Sequence, residues 1–473
     1  MSLPRYATYR DSGVSWLGNV PAHWKVLRLK RACIVFPSNV DKHSRDDEAA
    51  IRLCNYTDVY YNEQITSDMQ FMEATASTDQ IARFALKAGD TIITKDSETA
   101  DDIAIAAYVP DDLPGVVCGY HLSMVRPRPE TAGAFVKRLF DSVYAKARFA
   151  VAANGLTRVG LGQYVLDNVE LPFPPFVEQA AIAAFLDRET AKIDALIAEK
   201  ERLTALLAEK RQATISHFVT CGLNPNALMA DSGVTWVGIV PAHWHVQRLK
   251  TISPEITVGI VVEPSKYYVD EGVPALRSLN ISAGRITTEN LVYISPESNE
   301  ALAKSRLHVG DLVSVRSGQT GVTSVVPSEM DGCNCIDLII IRKPSQHCEQ
   351  FLCWFFASDS ALRQFASGSG GAIQQHFNIG TAMNLQVPLP PIEEQRAIAD
   401  FLERETAKLD ALSAEAERAV NLLKERRSAL IAAAVSGQID VRSAKPQPAQ
   451  LDEVAANRAR TPHRLARDPQ GAT

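Results

Sequence analysis

Two stretches of the chain space their apolar residues three or four apart, or by sums of those steps, for about forty residues each. Ile182, Leu186, Ile193, Leu196, Leu203 and Leu207 keep one register, and Ile398, Leu402, Leu409, Leu412, Leu423 and Leu430 keep another. The spacing predicts two long helices, over 178–222 and 392–437, each with a single narrow apolar stripe. Charged runs, AEKERLTALLAEKR and AEAERAVNLLKERR, would cover the outer faces. Prolines lead into each helix, Pro172, Pro174 and Pro175 in one case and Pro388, Pro390 and Pro391 in the other. A residue without an N–H is welcome there, because that N–H would be unpaired in the first turn. Glu178 and Glu394 fall near the positive end of the helix dipole, and Gly222 and Gly437 lie where the patterns fade. A helix over 178–218 would be ~60 Å long. Its stripe needs a partner, and the other stripe matches it, which predicts an antiparallel coiled coil.

The blocks ahead of the helices, roughly 32–170 and 251–386, have shorter periods. AGDTIITK (88–95) and VGDLVSVRSG (309–318) each place Gly-Asp before a β-branched run, a turn leading into a strand. AFVKRLFDSVYAKARFA (134–150) and EQFLCWFFASDSALRQFA (349–366) each predict an amphipathic helix. Gly-containing loops follow, NGLTRVGLG (154–162) and SGSGGAIQQHFN (367–378).

The order of these elements repeats, and so does part of the sequence. DSGVSWLGNVPAHWKVLRLK (11–30) and DSGVTWVGIVPAHWHVQRLK (231–250) agree at fifteen of twenty positions. PFPPFVEQAAIAAFLDRETAKIDAL (172–196) and PLPPIEEQRAIADFLERETAKLDAL (388–412) agree at 18 of 25. The chain is therefore a tandem duplication of a unit of roughly 200 residues, too few copies for a solenoid. The division it predicts is a Trp-rich segment (1–31), a variable domain (32–177), a helix (178–222), a second Trp-rich segment (223–250), a second variable domain (251–391) and a second helix (392–437). The tail, 438–473, is expected to be disordered from about 443, for it lacks periodicity and is rich in Pro, Ala and Arg. The fold class is α+β: two mixed α/β domains in tandem, separated by an antiparallel coiled coil, with pseudo-two-fold symmetry.

At 473 residues, 46% hydrophobic and 22% charged, the composition is that of a soluble globular protein with at least two cores. No run of about 18 apolar residues exists to span a bilayer, and MSLPRYATYRDSG lacks a signal-peptide core, so a cytoplasmic chain is expected. The eight cysteines form no disulfide framework and suit a reducing compartment. Net charge is −6, and residues 1–170 carry 19 Lys and Arg against 21 Asp and Glu. A chain that gripped DNA alone through phosphates would be more basic, so any DNA reading needs help from elsewhere.

Catalytic signatures are missing. There is no GxxxxGK[ST] phosphate loop, and GSGG (368–371) and VGLG (159–162) read as turns. PFPPF (172–176) differs from the Asn/Asp-Pro-Pro-Tyr/Phe motif of amino-methyltransferases, since Phe173 cannot bond a target amine. CNC (333–335) with His347, Cys348 and Cys353 lacks zinc-finger spacing and reads as ordinary buried cysteine, so no metal is expected. No Ser/His/Asp or Cys/His constellation is present, and the chain is expected to be non-catalytic. Four of its five tryptophans, 16, 24, 236 and 244, lie in the duplicated opening segment. Their first role would be to anchor a domain onto the helix pair. Two retained surfaces nonetheless suit two copies of one partner, while two divergent blocks suit two different targets.

SGVSWLGNVPAHW and SGVTWVGIVPAHW heading the halves, with LPFPPFVEQAAIAAFL and VPLPPIEEQRAIADFL leading into the helices, resemble the specificity (S) subunit of type I restriction–modification systems. The likeness runs from residue 11 to about 440. It implies that each variable block is a target recognition domain reading one half of an asymmetric, bipartite site in double-stranded DNA. The coiled coil would then set the unread spacer. Two methyltransferase (M) subunits and restriction/translocase (R) subunits would dock on the chain, bringing S-adenosylmethionine, ATP and Mg²⁺, none of which this chain should bind. Two alternatives stay open: the specificity module of a related restriction system, and a coiled-coil scaffold that reads no DNA.

Base readout favours Arg with guanine and Asn or Gln with adenine. The loops after the Gly-Asp strands and the late Gly loops are the best places for it. In the first block the candidates are Lys95, Ser97, Thr157 and Arg158, with Asn55 and Tyr56. In the second they are Arg316, Ser317, Gln319, Gln374 and Gln375, with Arg277 and Asn280.

Overall fold

The computed structural model describes residues 4–368 and 377–443. Its described residues fold into two compact units, one made of those up to 197 and from 421 on, the other of those within 198–420. These cut across the linear segments, because each long helix is shared between the units. Among the described residues no helix is long and apolar enough to cross a membrane.

In the first unit, β1 (Cys33–Pro37), β2 (Ala49–Cys54), β3 (Met72–Ala76), β4 (Thr91–Thr94), β5 (Ala106–Tyr108), β6 (Val116–Cys118) and β7 (Leu122–Pro127) make two sheets. One is antiparallel, in the order β1-β7-β4-β5, and the other runs β6-β2-β3 with β6 parallel to β2. In the second unit, β8 (Ile256–Val258), β9 (Tyr268–Val269), β10 (Val273–Leu276), β11 (Val292–Ile294), β12 (Leu312–Val315), β13 (Thr323–Val325), β14 (Asn334–Cys335) and β15 (Leu338–Ile341) repeat the plan. The antiparallel sheet is β8-β15-β12-β13, and the other is β9-β11-β10-β14 with β14 parallel to β10. β4 and β12 are buried at every position, which is why TIIT and LVSV read as continuous runs without alternation.

The Gly-Asp pairs ahead of those strands have a definite use. Gly89 and Gly310 take φ of 92° and 84°, a left-handed turn that favours glycine. The next residue is a buried carboxylate: Asp90 takes two bonds from Arg126 of β7, and Asp311 takes one from Arg342. Each arginine ties the turn to the neighbouring strand. The amphipathic stretches at 134–150 and 349–366, by contrast, are two helices each. Gly133–Asp141 ends where Ser142 caps Val143–Ala152, and Glu349–Phe356 is followed by Asp359–Gly368 after Ser358. In both breaks the serine hydroxyl bonds the carbonyl three residues back and accepts from the amide three residues on.

The long helices are α1 (Phe176–Cys221), with 46 residues, and α2 (Ile392–Val435), with 44. Gly222 and Gly437 follow them at φ of 72° and 75°. In the first unit Arg427 of α2 holds Asp194 of α1 at 2.8 Å; in the second Arg211 of α1 holds Asp410 of α2 at 2.8 Å. The partner number falls along α2 as it rises along α1, so the helices run antiparallel. The two ion pairs are also copies of one another, 216 residues apart.

The inward row differs from the leucine stripe expected. Ile182, Leu186, Ile193, Ile398, Leu402 and Leu409 are buried, and Leu207, Leu423 and Leu430 are half-buried, but Leu196, Leu203 and Leu412 are exposed. The shielded positions in the middle are Ile197, Lys200, Thr204, Leu207 and Arg211 on α1, and Ser413, Ala416, Val420, Leu423 and Arg427 on α2. This row has heptad spacing, and small or amphipathic residues fill much of it. The three exposed leucines sit one position before it.

Candidate nucleic-acid interface

The retained Trp-rich segments form a frame for the variable domains. In the first unit the strand Lys25–Arg28 pairs with Glu170–Phe173, and in the second His245–Arg248 pairs with Gln386–Leu389. Each pairing delivers a tryptophan to the start of a long helix. Trp24 Nε1 donates to Glu178 at 2.9 Å, and Trp244 Nε1 donates to Glu394 at 3.2 Å. His23 and His243 each place Nε2 2.9 Å from the same carboxylates. Burial and the neighbouring carboxylate push the Tyr6 phenol, a third donor to Glu178, well above its usual range. The helix-dipole glutamates are thus the acceptors of matched clamps, buried at Glu178 and half-buried at Glu394. Trp24 and Trp244 are buried, while Trp16 and Trp236 remain exposed in both copies.

On this frame, the first domain gathers several candidate residues around one cleft of about 240 Å³, lined by Lys42, His43, Asn55, Tyr56, Tyr120 and His121 among others. Asn55 follows β2 and starts a short helix, its amide donating to Asp58 at 2.7 Å. Lys95 follows β4, and its ammonium lies 4.4 Å from the centre of the Tyr120 ring. Asp96 is met by His121 at 3.0 Å and Arg158 at 3.5 Å. Thr157 and Arg158 are exposed. Ser97 is buried, and its hydroxyl faces the Tyr56 phenol, which burial pushes upward in pKa and this bond brings down. Ser97 therefore supports Tyr56 and is removed from the set that could touch a ligand.

In the second domain Arg316 follows β12 and pairs with Asp337 at 2.8 Å. Arg277 follows β10 and donates to the Asn290 carbonyl at 2.6 Å. Ser317 is half-buried and Gln319 exposed. Asn280 is fully buried; it accepts from the Arg277 amide and donates to the carbonyls of Thr287 and Glu289. Its amide group is spent on backbone, so Asn280 is a turn cap, the counterpart of Asp58, and the expectation of a base contact there is withdrawn. Gln374 and Gln375 lie outside the described residues.

Sequence reasoning missed Asp96, Tyr120, His121 and Asp337. The last three lie in short loops between a buried parallel strand and the central antiparallel one. The available signal was VVCGYHLSMV and NCIDLIII, where polar residues interrupt two apolar runs.

Comparison with known proteins follows the same lines. Residues 303–421 match the family described as type I restriction modification DNA specificity domain. The type I restriction enzyme EcoKI specificity subunit of Escherichia coli K12 is 23% identical over 365 residues, 73% of this chain and 75% of that one. A chain from a solved structure on complex assembly and conformational transition of the type I R-M system superposes with a TM-score of 0.69 at 18% identity. It covers 88% of this chain and 98% of its own length. The HsdS subunit from Thermoanaerobacter tengcongensis gives 0.51 at 18% identity and the same coverage. At these identities the solved chains speak to the fold alone.

Proposed function

We propose that this chain, similar to the type I restriction–modification specificity subunits, is the non-catalytic, sequence-reading part of a cytoplasmic methyltransferase and endonuclease complex. Each variable domain reads one half of an asymmetric bipartite DNA site, and α1 with α2 fixes the unread gap. The observation that carries this reading is a frame kept twice with unlike loops mounted on it. The clamps at Glu178 and Glu394 match, whereas the groups at the strand ends are Lys95 with Tyr120 in one domain and Arg316 with Asp337 in the other.

Exposed Trp16 and Trp236, at matched positions, support docking of two copies of one methyltransferase subunit. Restriction/translocase subunits join the same assembly. S-adenosylmethionine, ATP and Mg²⁺ belong to those partners, and their surfaces supply the basic grip that a chain of net charge −6 lacks. Half-sites reached from one face of DNA lie about one helical turn apart, ~34 Å.

Single-molecule sequencing of genomic DNA from cells making the partner methyltransferase, with and without this chain, tests the reading. An N6-methyladenine motif in two unequal halves around a fixed gap, dependent on the chain, is expected. Active partners whose methylation ignores the chain would refute it. Inserting about one helical turn, four residues, near Leu203 should alter the gap or abolish activity without changing the bases read.

A further inference from the structure

Three backbone positions coincide between the two domains, and strand register fixes them where the side chains differ. β6 pairs with β2 so that Cys118 faces Cys54, and β14 pairs with β10 so that Cys335 faces Leu276. The next amides repeat the bond: Gly119 donates to the Cys54 carbonyl at 2.9 Å and Ile336 to the Leu276 carbonyl at 2.8 Å. Asn55 is therefore the counterpart of Arg277. In the other sheet Leu122 faces Thr94 and Leu338 faces Val315, which makes Lys95 the counterpart of Arg316. The late loop confirms the match, since Leu161 donates to the Lys95 carbonyl and Phe377, 216 residues on, donates to the Arg316 carbonyl. What remains is the loop between the paired strands, Gly119–His121 in one domain and Ile336–Asp337 in the other.

A cation just past β4 or β12 is thus held by a residue of that loop in both domains, by unlike chemistry. Lys95 rests on the face of Tyr120, which is 50% exposed, and Arg316 is bonded to Asp337. Asp337 takes a φ of 50°, left-handed backbone that Asp tolerates better than most residues. The cost of that conformation is accepted where the carboxylate faces the guanidinium. Arg277 adds a second guanidinium near the strand ends, with a sheltered Nε that has no hydrogen-bond partner among the described residues.

We propose that these matched pairs are where the two half-sites are told apart, with Lys95 and Arg316 touching bases and Tyr120 and Asp337 as positioning residues that set which base is accepted. This rests on the recognition role proposed above. Arg316 suits a G·C pair, its guanidinium turned toward guanine O6 and N7 and held in that attitude by Asp337. Lys95 suits guanine acceptors as a single point charge, and the Tyr120 ring beneath the ammonium sets where that charge sits. Leu161 and Phe377, each bonded to the carbonyl of its domain's cation, fix the backbone beneath it.

The test uses the full chain in complex with its methyltransferase subunit, methylating a pool of sites in which each base pair of both halves is varied. Lys95→Ala and Tyr120→Ala should relax the same base pair of one half-site, and Arg316→Ala and Asp337→Ala the same base pair of the other. Discrimination at that base pair should fall about tenfold to a hundredfold, with the opposite half and the gap unchanged. A partial loss that is uniform across all sites marks phosphate contact and overturns the proposal. So do unchanged preferences, or two members of a pair acting on different halves. Where an alanine variant is inactive on every site, Tyr120→Leu and Asp337→Asn decide: relaxed preference at the one base pair upholds the proposal and unaltered preference sinks it. If the unaltered complex methylates no bipartite motif, the recognition role itself has failed.

Discussion

The two carboxylate clamps share a plan and differ in how tightly they are closed. Glu178 is 6% exposed and accepts from Tyr6, His23 and Trp24, whereas Glu394 is 26% exposed and is met by His243 and Trp244. The counterpart of Tyr6, 220 residues on, is Asn226. Chain that follows α2 seals the first clamp: Tyr9 donates to the Gly437 carbonyl at 3.0 Å, and the Arg442 guanidinium lies 4.9 Å from the Tyr6 ring. Duplication thus copied the acceptor and its tryptophan, while the neighbours that exclude water were recruited separately. A buried, fully bonded carboxylate is costly to disturb, because removing a donor leaves a desolvated charge.

The largest separation between the clamps should come from their tryptophans. Trp24→Ala is expected to cost about 3–5 kcal/mol and Trp244→Ala less, since Trp24 is the more buried and packs edge-on against Tyr6. Hydrogen exchange of the strands Lys25–Arg28 and His245–Arg248 in full-length variants reads the two sites separately. Equal losses would erase the distinction.

The glycines that end the helices sharpen it further. At both, an added Cβ meets left-handed strain worth about 1 kcal/mol. At Gly437 it would also come within 2.3 Å of Pro21, against 3.0 Å from Glu394 at Gly222. Gly437→Ala should therefore lower the melting temperature more than Gly222→Ala, and the reverse order would show that the second clamp is the stiffer.

The duplicated ion pairs predict the smallest effect. Arg211→Ala removes one partly exposed pair and should cost about 0.2–1 kcal/mol. Arg427→Ala should cost more by chemical denaturation, because Arg427 also meets Glu63, which Lys137 and Arg138 share. Burial pushes the Glu63 carboxyl upward, but Lys137, Arg138 and Arg427 outweigh it and hold it down at about 2, from 4.5. A carboxyl lowered on folding stabilises above its unfolded pKa and loses that contribution as pH falls through the folded one. Glu63→Gln should then be destabilising at pH 6 and near neutral by about pH 2. Melting temperatures of the two proteins that stay parallel over this range would count against the network.

Much of the fold was legible. The duplication, the long helices, the Gly-Asp turns and the buried strands all rest on local spacing, which the chain displays directly. Reading the seam from leucines erred at Leu196, Leu203 and Leu412, because the inward row is set by heptad geometry and includes Lys200, Thr204 and Ala416. The interface was legible in part. Lys95 and Arg316 were found because a strand ends just before them, whereas Tyr120 and Asp337 show locally only as polar breaks in apolar runs, and what they meet depends on which strands pair. Ser97 and Asn280 have the right chemistry for base contact but are buried, and burial is a property of the packed chain.

By itself the sequence determined that there are two copies of one plan, where each copy begins, and which surfaces are shared. Those properties are carried by residues close together along the chain, whose periods are set by the geometry of helix and strand. Only the tertiary structure decided that Glu178 is a buried acceptor and Glu394 a half-buried one, that the inward row of the helices avoids several leucines, and that Lys95 meets Tyr120 where Arg316 meets Asp337. Each of these joins segments at least twenty residues apart, and it is strand register, not local preference, that selects which of them meet.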